Sequence, residues 1–143
     1  MYACLVMQSN EFEVAASAGV LRPESGSGIR FPHHWTEEGV VVESAFTGGH
    51  LLHLSIAGCV LNDVYREAET LGIVVDGVRV AVRGDFDRET FHSTGVEYEV
   101  EVSSEAAGPD IERLLRVVDD VAEMPKTLRA AAQVERVNNS TRM

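Results

Sequence analysis

Cysteine is scarce in this sequence. Two occur in 143 residues, Cys4 and Cys59, too few to staple a small secreted scaffold. The simplest inference is a cytoplasmic protein with reduced thiols. Basic side chains are short as well: 12 Lys and Arg stand against 23 Asp and Glu, a formal net charge of −11. That balance lacks the footprint that phosphate backbones require, and an anionic membrane surface attracts cations rather than such a chain. Neither nucleic acid nor membrane is therefore expected as a partner, and the charge reads as a soluble, self-repelling surface. No apolar run approaches the ~20 residues that span a bilayer. The opening stretch MYACLVMQSNEFEV carries no positive segment before its short apolar run, so a signal peptide is not expected. Glycine-rich phosphate loops, nucleophilic-serine motifs and Cys-x-x-Cys are missing too. GSGIRF is not followed by a helical pattern, as a phosphate cradle would be.

What is present suffices for one domain over residues 1–143. Hydrophobic residues make up 45%, enough for a packed core. YACLVMQ and FEVAASAG read as two short strands joined by a polar SNE, a hairpin signal. Residues 22–39 are turn-rich and irregular, and VVVESAF can supply a further strand. From Leu51 the pattern changes. Leu51, Leu52, Leu54, Ile56, Ala57, Cys59, Val60 and Leu61 are interrupted only by His53, Ser55 and Gly58. A helix apolar on every side must be covered on every side. Its second half is amphipathic, with Val64, Tyr65, Ala68 and Leu71 opposite Asp63, Arg66, Glu67 and Thr70, and Gly72 is a natural stop. Valine alternation then predicts strands through Val78–Val82 and Val96–Val102, joined by a long exposed crossing, GDFDRETFHSTG. Pro109 suits a helix start. Ile111, Leu114, Leu115, Val118 and Val121 mark the apolar face of that helix, Pro125 breaks it near Met124, and KTLRAAAQVERV begins as a helical turn and can end as a strand. The tail 138–143 is expected to fray. The order is α+β. A helix so apolar is hard to bury in one small domain, so a homodimer with a two-fold contact is expected.

Few residues carry candidate chemistry. Cys59 is either a small buried apolar residue, a common fate of free cysteine, or a reactive thiol. Reactivity needs a cation to offset burial, and Arg22 or Arg30, oriented by Glu43, can supply one. His50 and His53 at i and i+3, with His33 and His34, have metal-ligand spacing, but a polar first turn with incidental histidines explains them more simply. A histidine can also set the ionisation of Cys59. The Glu97, Glu99, Glu101 stripe has strand spacing and reads as a solvated face.

GGHLLHLSIAGCVLNDVYREAETLGIVVDGVRVAVRGDFD, followed by VEYEVEV and IERLLRVVDDVAE, resembles the OsmC/Ohr family of thiol-dependent hydroperoxide reductases. The likeness rests on the leucine-rich helix with Ala57 and Gly58 before Cys59, on the Gly72–Ile73 exit, and on the valine strand ending in Gly84 and Asp87. It runs over roughly residues 40–130 by eye. The resemblance implies an OsmC-like α+β fold with a long buried central helix and an intertwined homodimer. It implies peroxiredoxin-type reduction of organic hydroperoxides in oxidative stress, with no metal, flavin or other cofactor. The family's first cysteine falls on Cys59. Its second falls on Met124 or Ala122, neither a thiol, so recycling needs Cys4 or an external thiol reductant. Its N-P-E motif meets Gly48 and Gly49 instead. Its activating arginine falls on no clear motif here, which leaves Arg22 and Arg30 as candidates. Two readings follow: a single-cysteine hydroperoxide reductase, or an impaired relative that binds a small hydrophobic molecule in an apolar pocket at the dimer interface.

Overall fold

The structure is a computed structural model, and it describes residues 11–138. The first proposed strand, YACLVMQ, with Cys4, lies outside these residues, as does all of the tail beyond Asn138.

The strands are β1 (Val14–Gly19), β2 (Ile29–Phe31), β3 (Val40–Glu43), β4 (Gly77–Phe86), β5 (Ser93–Ser103) and β6 (Val134–Arg136). They form one sheet in the order β2-β3-β1-β4-β5-β6. Every pairing is antiparallel except β5 with β6. The helices are α1 (Gly48–Leu71), α2 (Gly108–Val121) and α3 (Glu123–Leu128). The mixed α+β class read from the sequence is what forms.

Register puts apolar rows on one sheet face. Val42, Ala16, Val80 and Val100 lie in line across four strands, and Val14, Val82 and Tyr98 across three. α1 lies on this face against β1 and β4, with Ile56, Ala57, Val60 and Val64 completely buried. Each large side chain so buried contributes roughly 1.5–3 kcal/mol. The ends of α1 are sharply set. Thr47 caps the start by accepting from the His50 N–H at 3.1 Å. Gly72, with φ 72°, turns the chain out, while Ile73 N–H reaches Ala68 O at 2.9 Å and Gly72 N–H reaches Glu69 O at 3.2 Å. That double bond pattern needs a left-handed residue, which glycine adopts freely.

Several sequence expectations are corrected. The turn-rich segment 22–39 contains β2, which adds to the β3 edge. The link between the valine strands is not a long crossing. β4 and β5 pair from Gly77↔Ser103 to Phe86↔Ser93, and only the turn at 87–92 remains. Asp87 organises this turn by accepting from the N–H groups of Glu89 and Thr90, both at 2.8 Å. α2 ends at Val121, ahead of Pro125, because Pro125 belongs to the first turn of α3, where a missing N–H costs no hydrogen bond. Glu99 and Asp63, both placed on polar faces by sequence spacing, are 5% and 4% exposed. Glu99 is held by Arg83 at 3.3 Å.

A polar tie closes the far end of the core. The hydroxyl of Tyr98, a fully buried residue on β5, donates to Asp119 Oδ1 on α2. Arg129 Nη2 donates to the same oxygen at 2.9 Å, and its Nε reaches Val134 O at 2.9 Å. Tyr98→Phe removes a charge-assisted bond across three elements. It is expected to cost about 1.5–3 kcal/mol in urea unfolding, with a smaller loss in an Asp119→Ala background, where the bond is already absent.

Candidate functional site

The site develops along one side of α1. The sheet, α2 and α3 cover the other sides. At about 100° per residue, Leu51, Ser55, Cys59, Asn62 and Arg66 share the remaining side. Leu51, Asn62 and Arg66 are exposed, while Ser55 and Cys59 are half-buried. The helix that reads as apolar all round is therefore covered by its own chain on most of its circumference but not on the cysteine's side.

Cys59 is the single free cysteine among the described residues. Its thiol is directed at Asp63 Oδ2, one helical turn on, at 4.0 Å. Asp63 Oδ1 is ion-paired with Arg66 Nη1 at 3.1 Å. Residues 59, 63 and 66 thus form a thiol–carboxylate–guanidinium row. Burial raises the proton affinity of Asp63 from its ordinary value. Arg66 opposes that, and Glu123 and Glu67 add to it. The i, i+4, i+7 spacing of this row is visible in the sequence. It was obscured because Cys59 counted as apolar and Asp63 as solvent-facing.

The arginines proposed from sequence make other contacts within this chain. Arg22 Nε donates to Gly19 O at 3.1 Å. Arg30 is exposed on edge strand β2, and neither is hydrogen-bonded to Cys59. Glu43 pairs with Arg79 at 3.6 Å rather than with either of them. The family's second-cysteine positions, Ala122 and Met124, lie at the start of α3, which packs against α1. Met124 opens α3 beside Glu123, whose charge acts on Asp63, while Ala122 is fully buried.

The histidines of α1 serve the helix start. His50 sits on the opposite side of α1 from Cys59, and its Nδ1 engages Thr47 Oγ1 at 2.7 Å. His53 is fully buried, donates Nδ1–H to Phe12 O at 2.8 Å, and leaves Nε2 without a partner. Its ring lies flat against Phe86 and edge-on to Phe12. Neither histidine is hydrogen-bonded to Cys59. Among the described residues no three His, Cys, Asp or Glu side chains converge on a point that could hold a metal. The same aromatic cluster explains the glycine where the resemblance expects glutamate. A Cβ on Gly49 would lie 2.6 Å from Phe12 and 2.8 Å from Phe86, so any side chain there collides.

An apolar cavity of about 260 Å³ opens between α1 and the β2–β3 edge, and none of Cys59, Asp63 or Arg66 lines it. Phe31, Val40 and Val42 form its sheet side, and Leu54, Gly58 and Leu61 its helix side. His33 and Asn62 stand at its rim, joined at 3.0 Å. Among the described residues no helix is long and apolar enough to cross a membrane.

The family model for OsmC-like protein matches residues 42–136, about two thirds of the chain. No curated protein matches. The solved structures of similar fold include an OsmC-like protein from Mycoplasma pneumoniae, with TM-score 0.60 and 14% identity over 72% of this chain and 83% of that one. An organic hydroperoxide resistance protein OsmC from Legionella pneumophila has TM-score 0.56 and 15% identity over 66% and 69%. The organic hydroperoxide resistance protein OhrB of Bacillus subtilis has TM-score 0.53 and 15% identity over 67% and 72%. At such identities the likeness is one of fold.

Burial lowers the proton affinity of His53, with His50 adding to the effect, against the opposing Phe12 hydrogen bond and Asp85. The unfolded chain takes up this proton as pH falls through about 6.5, while the folded chain refuses it until lower pH. The unfolded state then binds more protons, so stability falls as pH drops below about 6.5. His33, also lowered chiefly by burial, adds to the same slope. Urea unfolding between about pH 7.5 and 5.5 is expected to show this loss, and His53→Leu to flatten part of it. A loss unchanged in that variant would show that His53 does not cause it.

Proposed function

The chain belongs to the OsmC-like protein family, and from that premise we propose that it reduces organic hydroperoxides with the thiol of Cys59. The observation that carries this reading is the placement of the sulfur. It sits half-buried on the side of α1 that its own chain leaves uncovered, with a carboxylate as its hydrogen-bond partner.

The chemistry follows from the row. The S–H of Cys59 passes its proton to Asp63, whose raised proton affinity suits it to hold one. The thiolate attacks the terminal oxygen of the hydroperoxide. The S–O bond forms as the O–O bond breaks, sulfur is oxidised to sulfenic acid, and the departing alkoxide takes the proton from Asp63 to leave as alcohol. Arg66 holds the carboxylate in place. Without a cysteine at Ala122 or Met124, an external thiol condenses with the sulfenic acid, releasing water. A second external thiol then frees Cys59 by exchange.

A second copy of the chain completes the site in this reading. Leu51 is 41% exposed beside the thiol row, and a two-fold contact along α1 would cover it and draw the two thiols toward one seam. The second reading, a relative without turnover that binds a small hydrophobic molecule, is favoured by the apolar cavity and by the lack of a cysteine at Ala122 or Met124.

Consumption of tert-butyl hydroperoxide with a dithiol reductant separates the two. Wild type is expected to turn over, Cys59→Ser to be inactive, and Asp63→Asn to lose about 100-fold or more. No consumption by wild type would leave only the ligand-binding reading. Sedimentation is expected to find dimers for wild type and single chains for Leu51→Arg; a monomeric wild type would refute the covering copy.

A further inference from the structure

Charge beside the sulfur does not balance. Asp63 lies one helical turn beyond Cys59, and Glu67 one turn beyond that. Arg66 is shared between the two carboxylates: Nη1 reaches Asp63 Oδ1 at 3.1 Å and Nε reaches Glu67 Oε2 at 3.3 Å. Glu123 opens α3, which packs against α1, and its charge also acts on Asp63. Among the described residues Arg66 is the one cation ion-paired with any of these carboxylates. Three acids thus stand against one guanidinium. When Asp63 holds the thiol's proton, two still do. No basic residue in the last turn of α1 offsets them.

This excess acts on whatever approaches Cys59. Asp63 is buried and Glu67 half-buried, so salt screens them less than it screens surface charges. An anion approaches against the field, a neutral molecule is indifferent to it, and a cation is drawn in. Arg66 does not reverse that preference, because two carboxylates already engage it.

We propose that the Cys59 site selects its thiol co-reactant by charge, with Glu67 and Glu123 as the specificity-determining residues: it takes a cationic aminothiol and rejects thiols that carry a carboxylate. The recycling step rests on the peroxidase reading; the charge selection itself does not. In that step the aminothiol condenses with the sulfenic acid of Cys59, so that an S–S bond forms and water leaves. A second aminothiol attacks the mixed disulfide, which frees the Cys59 thiol and releases the aminothiol's own disulfide. The two aminothiol sulfurs supply the two electrons that the hydroperoxide consumed.

Two measurements test this separately. The first needs no turnover. The full chain carrying Cys4→Ser, which leaves Cys59 as its single cysteine, is treated with two methanethiosulfonates of opposite charge, the 2-(trimethylammonio)ethyl and the 2-sulfonatoethyl reagents. With either, the Cys59 thiolate forms a disulfide and methanesulfinate leaves. The ratio of the two rates is divided by the same ratio for free 2-mercaptoethanol, which cancels the thiolate fraction and each reagent's own reactivity. The cation is expected to be favoured about tenfold at low ionic strength and less at about 0.5 M salt. The preference is expected to fall about threefold in Glu67→Gln and in Glu123→Gln. A ratio near one, or a ratio that both variants leave unmoved, overturns the inference. The second measurement follows tert-butyl hydroperoxide consumption with cysteamine and with 3-mercaptopropionate, each rate divided by that thiol's rate of reducing 2-hydroxyethyl disulfide. Cysteamine is expected to be about tenfold the better reductant. Equal turnover with both thiols overturns the inference and leaves the peroxidase reading intact. A charge preference at Cys59 with turnover by neither thiol removes the peroxidase reading and leaves the charge selection standing.

Discussion

The packing of α1 on the apolar rows of the sheet is the constraint from which the rest follows. Val80, Val82, Ala16 and Val14 offer a surface that Ile56, Ala57, Val60 and Val64 fill without residual exposure. Thr47 and Gly72 set where the rod begins and ends. A helix so clamped cannot rotate about its axis without exposing several of these side chains, at roughly 1.5–3 kcal/mol each. Its orientation therefore decides which residues are left on the open side. Cys59, Asp63 and Arg66 gain their chemical relation from a choice made by valines and alanines on the other side of the same helix.

At the start of α1 a second constraint acts. Phe12, Phe86 and His53 close over Gly49 and Gly84, and both glycines are needed for that closeness. A Cβ on Gly84 would lie 2.5 Å from Gly95 O and 3.0 Å from His53 Nε2. Space is spent on aromatic packing where the family resemblance anticipates a carboxylate. The substitution of glycine for glutamate is thus coupled to the neighbouring rings. The carboxylate that the thiol meets in this chain is that of Asp63, one turn beyond the cysteine on the same helix.

The family resemblance points to a cation acting directly on sulfur; the row observed here interposes a carboxylate between sulfur and guanidinium. A buried carboxylate with raised proton affinity exchanges a proton readily, whereas an exposed one would stay ionised through the same range.

Much of the architecture was legible in residue spacing. The leucine-rich run, the valine alternations, the Gly72 stop and the apolar stripe Leu114–Val118 each encode a local period that survives packing. The resemblance resting on those segments led to the family that the match over residues 42–136 supports. Less legible were Asp63 and Glu99, because burial of a charged residue depends on what packs beside it rather than on its own period. The β4–β5 turn was also misread, since Asp87 closes it with backbone hydrogen bonds that composition does not announce.

By itself the sequence determined the α+β order, the central helix and the identity of the one described thiol, because these depend on local periodicity and local caps. Only the tertiary structure decided that the thiol stays half open and that its partners are Asp63 and then Arg66. It alone placed an apolar space between β2, β3 and α1. Those relations join positions far apart in the chain, or depend on how one helix is rotated against a sheet. No single segment contains that information.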